Sequence, residues 1–292
     1  MDTSDPSPRS AAADPPRDAD PPVSADPPVS ADPPRDAAAA NPAPGIVEAA
    51  HEVADATADT VHAAQVVAAR ETLPPRVALL RGRGALLVAV LAFVGFGAVF
   101  ALVRADRSAA LDAGITMKLQ RRRWPALAPF MALVSWPGFP PQSRTIPPLL
   151  IGGMWLSRLR LEAGFQLLGW CTGLVSSALK TFMKRPRPVA GSDIRVVAAP
   201  LGGSSFPSGH VITYVGTYGF LAYLAHTLIR PRRLRRAVVV GLAGMLAMVG
   251  PSRIYQGHHW PTDVLASYLL GLSYLIGLTT LYRRLKGRTV TR

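Results

Sequence analysis

At 292 residues, with 49% hydrophobic side chains and a mean hydropathy of +0.22, the chain is too apolar for an ordinary soluble domain and suits a multi-span membrane protein. Its one cysteine, Cys171, excludes an intrachain disulfide framework and a Cys-based zinc site. The net charge of +14 is divided, because residues 1–72 hold 13 acids against four arginines while residues 73–292 carry +23; that basic part reads as a topology signal facing anionic lipid, and nucleic acid is not an expected partner.

In chain order, residues 1–45 come first as a low-complexity tail. A six-residue unit, DPPxxA, begins at Asp14, Asp20, Asp26 and Asp32. Paired prolines at that density favour extended polyproline II and offer almost nothing to bury, so the tail is expected to be disordered. It lacks the basic and apolar regions of a secretory signal, and it leaves room for a proline-recognising partner. Residues 46–82 form a linker in which Ile46, Ala49, Val53, Ala56, Ala63 and Val67 recur at helical spacing, a short amphipathic helix ended by Pro74 and Pro75.

The fold class expected for residues 83–283 is all-α, a membrane domain of about six transmembrane helices, followed by a basic tail over 284–292. Residues 84–103 run twenty positions without a charge, enough to cross a hydrocarbon core of about 30 Å. Further spans are expected near 146–161, 163–182, 209–229, 237–252 and 262–282, with 124–143 lying in the interface. Six spans put both termini on one side, together with the basic stretches 230–236 and 283–288. The positive-inside rule makes that side the cytoplasm. The loop holding Arg104, Arg107, Lys118 and the arginines at 121–123 resists this scheme, and is expected to lie outside against anionic headgroups.

Three clusters then fall at outer loops. In KTFMKRPRP (180–188), Pro186 and Pro188 impose extended backbone, so Arg185 and Arg187 are expected to project to one side near Lys180. Guanidinium forks plus an ammonium suit a phosphate, or else form a headgroup-facing rim. In FPSGHV (206–211), Pro207 and Ser208 mark a helix N-terminus whose free N–H groups make an anion site beside Gly209 and His210, or a plain helix cap. In PSRIYQGHHWPTD (251–263), Asp263 is one of five acids after residue 72, and a carboxylate beside the bilayer needs a partner. His259 lies four residues before it and His258 five. Helical spacing therefore pairs Asp263 with Nδ1 of His259 and leaves Nε2 basic, unless both histidines simply face headgroups. Arg253 adds another fork. His226, sixteen residues beyond His210, is left as a structural residue.

Taken together the clusters resemble the type 2 phosphatidic acid phosphatase and haloperoxidase superfamily. Its signature is Lys, six residues, Arg-Pro; then Pro-Ser-Gly-His; then Ser-Arg, five residues, His, three residues, Asp. Here it is matched by Lys180 with Arg187-Pro188, by Pro207-Ser208-Gly209-His210, and by Ser252-Arg253, His259 and Asp263. The resemblance implies that His259 attacks phosphorus to form a phosphohistidine, oriented by Asp263. It implies that His210 protonates the leaving alkoxide and then activates water, and that Lys180, Arg187, Ser208, Gly209 and Arg253 hold the phosphate oxygens. Arg185 matches no signature position, and His258 fills an unspecified one.

No metal or other cofactor is expected, because two-metal chemistry wants several carboxylates and these clusters hold only Asp263 and Asp193. The expected activity is a lipid phosphate phosphatase of the cell membrane acting at the outer headgroup level. Its substrates would be phosphatidic acid, phosphatidylglycerol phosphate, diacylglycerol pyrophosphate or polyprenyl pyrophosphate. The alternatives are a lipid or sugar phosphotransferase using the same intermediate, a haloperoxidase (disfavoured by the spans), and a non-catalytic anion- or lipid-binding membrane protein.

Overall fold

In the computed structural model the described residues are 75–122, 124–191, 194–196 and 202–290. The proline-rich repeats, the helix expected within 46–71 and Asp193 lie outside them. Among the described residues there are nine α-helices, one 3-10 turn and no strand. In order these are α1 (Pro75–Arg104), α2 (Ala109–Gln120), α3 (Leu127–Ser135), the turn Trp136–Gly138, α4 (Gln142–Leu156), α5 (Arg160–Trp170), α6 (Thr172–Met183), α7 (Gly209–Leu228), α8 (Arg232–Tyr255) and α9 (Pro261–Val290).

Three stretches are long and apolar enough to cross a membrane: Gly82–Arg104, Arg232–Tyr255 and Pro261–Gly287. They coincide with the spans expected at 84–103, 237–252 and 262–282. On α1, Leu86, Leu87, Leu91, Phe93 and Val94 are 57–64% exposed, an apolar surface suited to lipid. The other three expected spans differ. The one at 146–161 is the 15-residue α4, about 22 Å long, which ends where Arg158 turns into the left-handed region at φ 59°. The one at 163–182 is interrupted at Cys171 into α5 and α6. The one at 209–229 is α7, twenty residues long but carrying Thr, Tyr, Gly and His through its length.

That composition follows from where α7 sits. It packs against α5, α6, α8 and α9, and Val211, Ile212, Tyr214, Thr217, Phe220 and Leu224 are all buried. Between helices in hydrocarbon, close van der Waals packing replaces hydrophobic driving force, and small residues permit it. At the α5–α7 crossing, a Cβ on Gly169 would stand 2.6 Å from the Gly216 carbonyl oxygen. The ring of Phe96 on α1 packs against that of Phe206, in a core cluster with Val103, Met183 and Ala266.

At the opposite end of α9, Glu162 is 2% exposed, accepts a hydrogen bond from Tyr282 Oη at 2.8 Å and pairs with Lys286 Nζ. The start of α5 and the end of α9 therefore share one end of the bundle. The loop after α1 departs from the sequence reading. It folds into α2, which turns Asp112, Thr116 and Gln120 inward at i, i+4 and i+8 and leaves Lys118, Arg121 and Arg122 exposed.

Candidate active site

The two loops that carry the first two clusters run past each other. Ser205 N donates to the Arg185 carbonyl at 2.9 Å, Ser205 Oγ to the Pro186 carbonyl at 3.0 Å, and Arg185 N to Ser204 Oγ at 3.0 Å. The start of α7 is also bonded to the first turn of α9, through Ser208 N and the Asp263 carbonyl at 3.4 Å. Three clusters separate in sequence, at 180–188, 206–211 and 251–263, therefore meet at one end of the bundle.

His259 lies just before α9 and is 2% exposed. Its Nδ1 is 2.8 Å from the Ser205 carbonyl oxygen and 3.6 Å from Asp263 Oδ2. The direct partner is thus a backbone carbonyl, and the carboxylate stands behind it; this corrects the pairing drawn from helical spacing. The reason is local: α9 begins at Pro261, so His259 precedes the helix on which that spacing would apply. A carbonyl only accepts, so Nδ1 carries the hydrogen and Nε2 presents its lone pair. Burial, followed by the charges of Arg253, Arg187 and Lys180, holds this imidazole well below the usual histidine range. A neutral ring with a bare Nε2 is the form a nucleophile needs.

Asp263 is fully buried, accepting from Trp260 N at 2.9 Å and from Arg185 Nη1 at 2.5 Å. Arg185 does not face the site with Arg187. Its Nη2 reaches Asp112 Oδ2 at 2.6 Å and Ser108 Oγ at 2.9 Å, and Nη1 also reaches Thr262 Oγ1 at 2.8 Å. Asp112 in turn accepts from Thr262 N at 2.9 Å and Thr262 Oγ1 at 2.8 Å. An Asp112–Arg185–Asp263 bridge thus ties α2 to the first turn of α9. Sequence reasoning missed Asp112. The signal available was a polar side chain every fourth residue, Asp112, Thr116 and Gln120, on one face of the helix.

Arg187 turns the other way. Nη1 donates to the His258 carbonyl at 2.8 Å and lies 3.4 Å from His259 Nε2, while Nη2 donates to the Ser204 carbonyl at 3.1 Å. The opposite arrangement of Arg185 and Arg187 follows from their partners: carboxylates draw one guanidinium behind Asp263, and loop carbonyls hold the other beside the His259 ring.

The remaining groups have few partners or none. Arg253 is 0% exposed, yet only Nη1 has a hydrogen bond, at 3.2 Å to Gln256 Oε1, and Nε and Nη2 have none. Ser208, the residue capping α7, makes no capping bond with its buried Oγ, and His210 Nε2 is also buried without a partner. Leaving a buried donor or acceptor unpaired costs about 1–3 kcal/mol, more for a charged group. Several such atoms in one place mark a site shaped for a polyanion. Phe139 joins them, its ring 4.8 Å from that of His210 and 4.8 Å from the Arg253 guanidinium carbon. Gly138 permits this approach, since the His210 ring fills the space a Cβ there would need. Ser252 supports Arg253 from behind through Ser135 Oγ at 2.5 Å and the Met131 carbonyl at 2.6 Å.

Lys180 closes the remaining side, with Nζ 3.7 Å from the position of a Cβ on Gly209. Beside it opens a cavity of about 590 Å³ between α4, α5, α6 and α7, lined by Lys180, Gly209 and His210 and by Leu167, Trp170 and Leu174. Of the signature residues Lys180, Gly209 and His210 line this cavity, while Arg187, Arg253 and Lys180 bring their charges to bear on the His259 ring and Asp263 stands behind it; Arg185 is not part of the lining. Among the described residues no three His, Cys, Asp or Glu side chains converge as a metal site.

Comparison with known proteins bears on this arrangement. Residues 161–286 match the family model described as the PAP2 superfamily, a stretch that contains every residue of the pocket signature. Phosphatidylglycerophosphatase B of Bacillus subtilis (strain 168) is 34% identical over 133 residues, 43% of this chain and 62% of that protein. Undecaprenyl-diphosphatase BcrC of the same organism is 35% identical over 101 residues, 34% of this chain and 47% of that protein. The chain therefore spans less than two thirds of the length of either relative. The crystal structure of a transmembrane PAP2-type phosphatidylglycerolphosphate phosphatase from Bacillus subtilis superposes with a TM-score of 0.58 at 25% identity, covering 66% of this chain and 94% of that one.

Proposed function

We propose that the protein is a membrane-embedded lipid phosphate phosphatase of the PAP2 superfamily, whose model residues 161–286 match, working through a phosphohistidine. The observation that carries the reading is the contrast at His259, whose Nδ1–H is held by a carbonyl while Nε2 is bare beside Arg187.

His259 Nε2 attacks phosphorus and forms the P–N bond as the P–O bond to the lipid breaks. His210 gives its proton to the departing alkoxide, or to the departing phosphate of a pyrophosphate lipid. Water then attacks the phosphohistidine, His210 takes the water proton, and the P–N bond breaks to release phosphate and restore His259. Lys180, Arg187, Arg253, Ser208 Oγ and the Gly209 N–H stabilise the equatorial oxygens through both steps. Asp263 stabilises the charge that the His259 ring acquires. The cavity beside Lys180 and His210 receives the lipid part of the leaving group.

The names of the relatives favour phosphatidylglycerol phosphate and undecaprenyl diphosphate within the substrate class. Both termini are assigned to the cytoplasm and the site to the outer face, with Glu162 and Lys286 at the cytoplasmic end. The test is a substrate panel on purified protein in detergent, with EDTA and vanadate as further arms. Phosphate release that survives EDTA, is inhibited by vanadate and vanishes in His259→Ala is expected. Full activity in His259→Ala, or strict dependence on a divalent metal, would overturn the mechanism.

A further inference from the structure

One buried group in the pocket has no part in that mechanism. His258 is 1% exposed, and neither of its ring nitrogens has a hydrogen-bond partner. A neutral imidazole always carries one N–H and one bare nitrogen, so both a donor and an acceptor are buried there unused. Elsewhere in the outer loops comparable polar groups are tied: Asp263, Asp112, Arg185 and Gln120 each have two or more partners.

Its surroundings say what the ring faces. The Phe139 ring that meets His210 and Arg253 also meets His258, at 6.1 Å and 78°. Arg187 Nη1, beside His259 Nε2, donates to the His258 carbonyl at 2.8 Å. His258 therefore belongs to the same group as Arg253, Arg187, His210 and Phe139. Burial, then the charges of Arg253 and Arg187, push its pKa down to about 3, so the ring stays neutral among cations. A neutral donor adds an N–H to an anion site without adding repulsion between the bases that line it.

We propose that His258 is a direct ligand of the phosphoryl group, its neutral ring N–H donating to a phosphate oxygen alongside Arg187 and Arg253. The inference rests on the phosphate-site reading above, and its test separates the two. Orthovanadate is titrated against wild type, His258→Ala, His258→Leu, His258→Asn and His258→Gln in detergent, reading ligand-induced thermal shift and, independently, melting temperature without ligand. Ala and Leu are expected to bind vanadate about tenfold more weakly. An amide that returns the N–H, Asn near the Nδ1 position or Gln near Nε2, is expected to restore binding to within threefold.

Leu nearly conserves the volume of the ring, so a role in packing alone would leave its vanadate affinity intact. Affinity within twofold of wild type in both Ala and Leu, or no recovery in either amide, would overturn the inference. If Ala does not fold, the Leu and Gln pair decides. Wild type that fails to bind vanadate would instead overturn the phosphate-site reading itself.

Discussion

Two halves of one pocket are built in opposite ways. On one side His259 Nδ1, Asp263 and Arg185 are tied to a carbonyl, carboxylates and hydroxyls. On the other side Arg253 Nε and Nη2, Ser208 Oγ, His210 Nε2 and both His258 nitrogens are buried without partners. Groups that must keep one geometry, such as the proposed nucleophile and the acid behind it, gain from being locked. Groups that must exchange partners with a substrate lose affinity if the protein already satisfies them. The pocket accordingly stores unfavourable energy in its open half and spends structure on its fixed half.

The largest effect expected from breaking this contrast is in the open half. Arg253→Met should lower kcat/KM by roughly 10²–10³-fold, the size associated with losing one charge-stabilising donor. Among the described residues Arg253 has no carboxylate partner, so the same change should raise the melting temperature by about 2–4 °C. A variant that loses both activity and stability would place Arg253 in the fixed half. Next comes Asp112→Asn, which removes an acid from the bridge behind Asp263. A fall in kcat of about 10–100-fold with a lower melting temperature is expected, the scale of losing an outer-shell orienting partner. Vanadate affinity should stay within about threefold, because Asp112 touches no phosphate ligand other than through Arg185 and Thr262. Loss of affinity instead would show that the two halves are not separable.

A pH series sharpens the comparison further. The pKa of His258 falls from an ordinary 6.5 to about 3 on folding, so between those values the folded protein binds fewer protons than the unfolded chain. Its contribution is fully present above pH 6.5 and is lost as pH falls toward 3. Melting temperature should therefore decline on acidification, and His258→Gln should flatten that decline; identical slopes would count against a buried neutral ring. The smallest functional effect should come from the far end of the bundle. Glu162→Gln should lower the melting temperature through the Tyr282 and Lys286 contacts while leaving kcat/KM within about twofold, since a hydrogen bond to a charged group contributes about 1.5–3 kcal/mol to stability and nothing there reaches the site.

The pocket was largely legible before the fold was. Lys180, Arg187, Ser208, Gly209, His210, Arg253, His259 and Asp263 stood out as chemistry that an apolar chain has no reason to hold, and all of them converge. What failed to read through was orientation. Arg185 and Arg187 differ by two positions in an extended stretch, which puts both on one side by backbone geometry alone. They part because Asp112 and Asp263 attract one and the loop carbonyls attract the other. The partner of His259 Nδ1 was hidden for a similar reason, since Ser205 offers a main-chain carbonyl that leaves no mark in residue identity.

Hydropathy by itself determined the membrane class and three of the spans, and the spacing of polar motifs picked out the pocket residues, because apolar runs and charged exceptions are local properties. The interruption of the expected third span at Cys171, the folding of the basic loop into α2, and the division of the pocket into tied and untied halves were decided by the tertiary structure. Each depends on what lies opposite a residue after packing: Gly216 against Gly169, Thr262 against Asp112, Phe139 against Arg253. Helical period and composition carry no term for a neighbour 50 or 150 positions away, whereas burial makes that neighbour the deciding one.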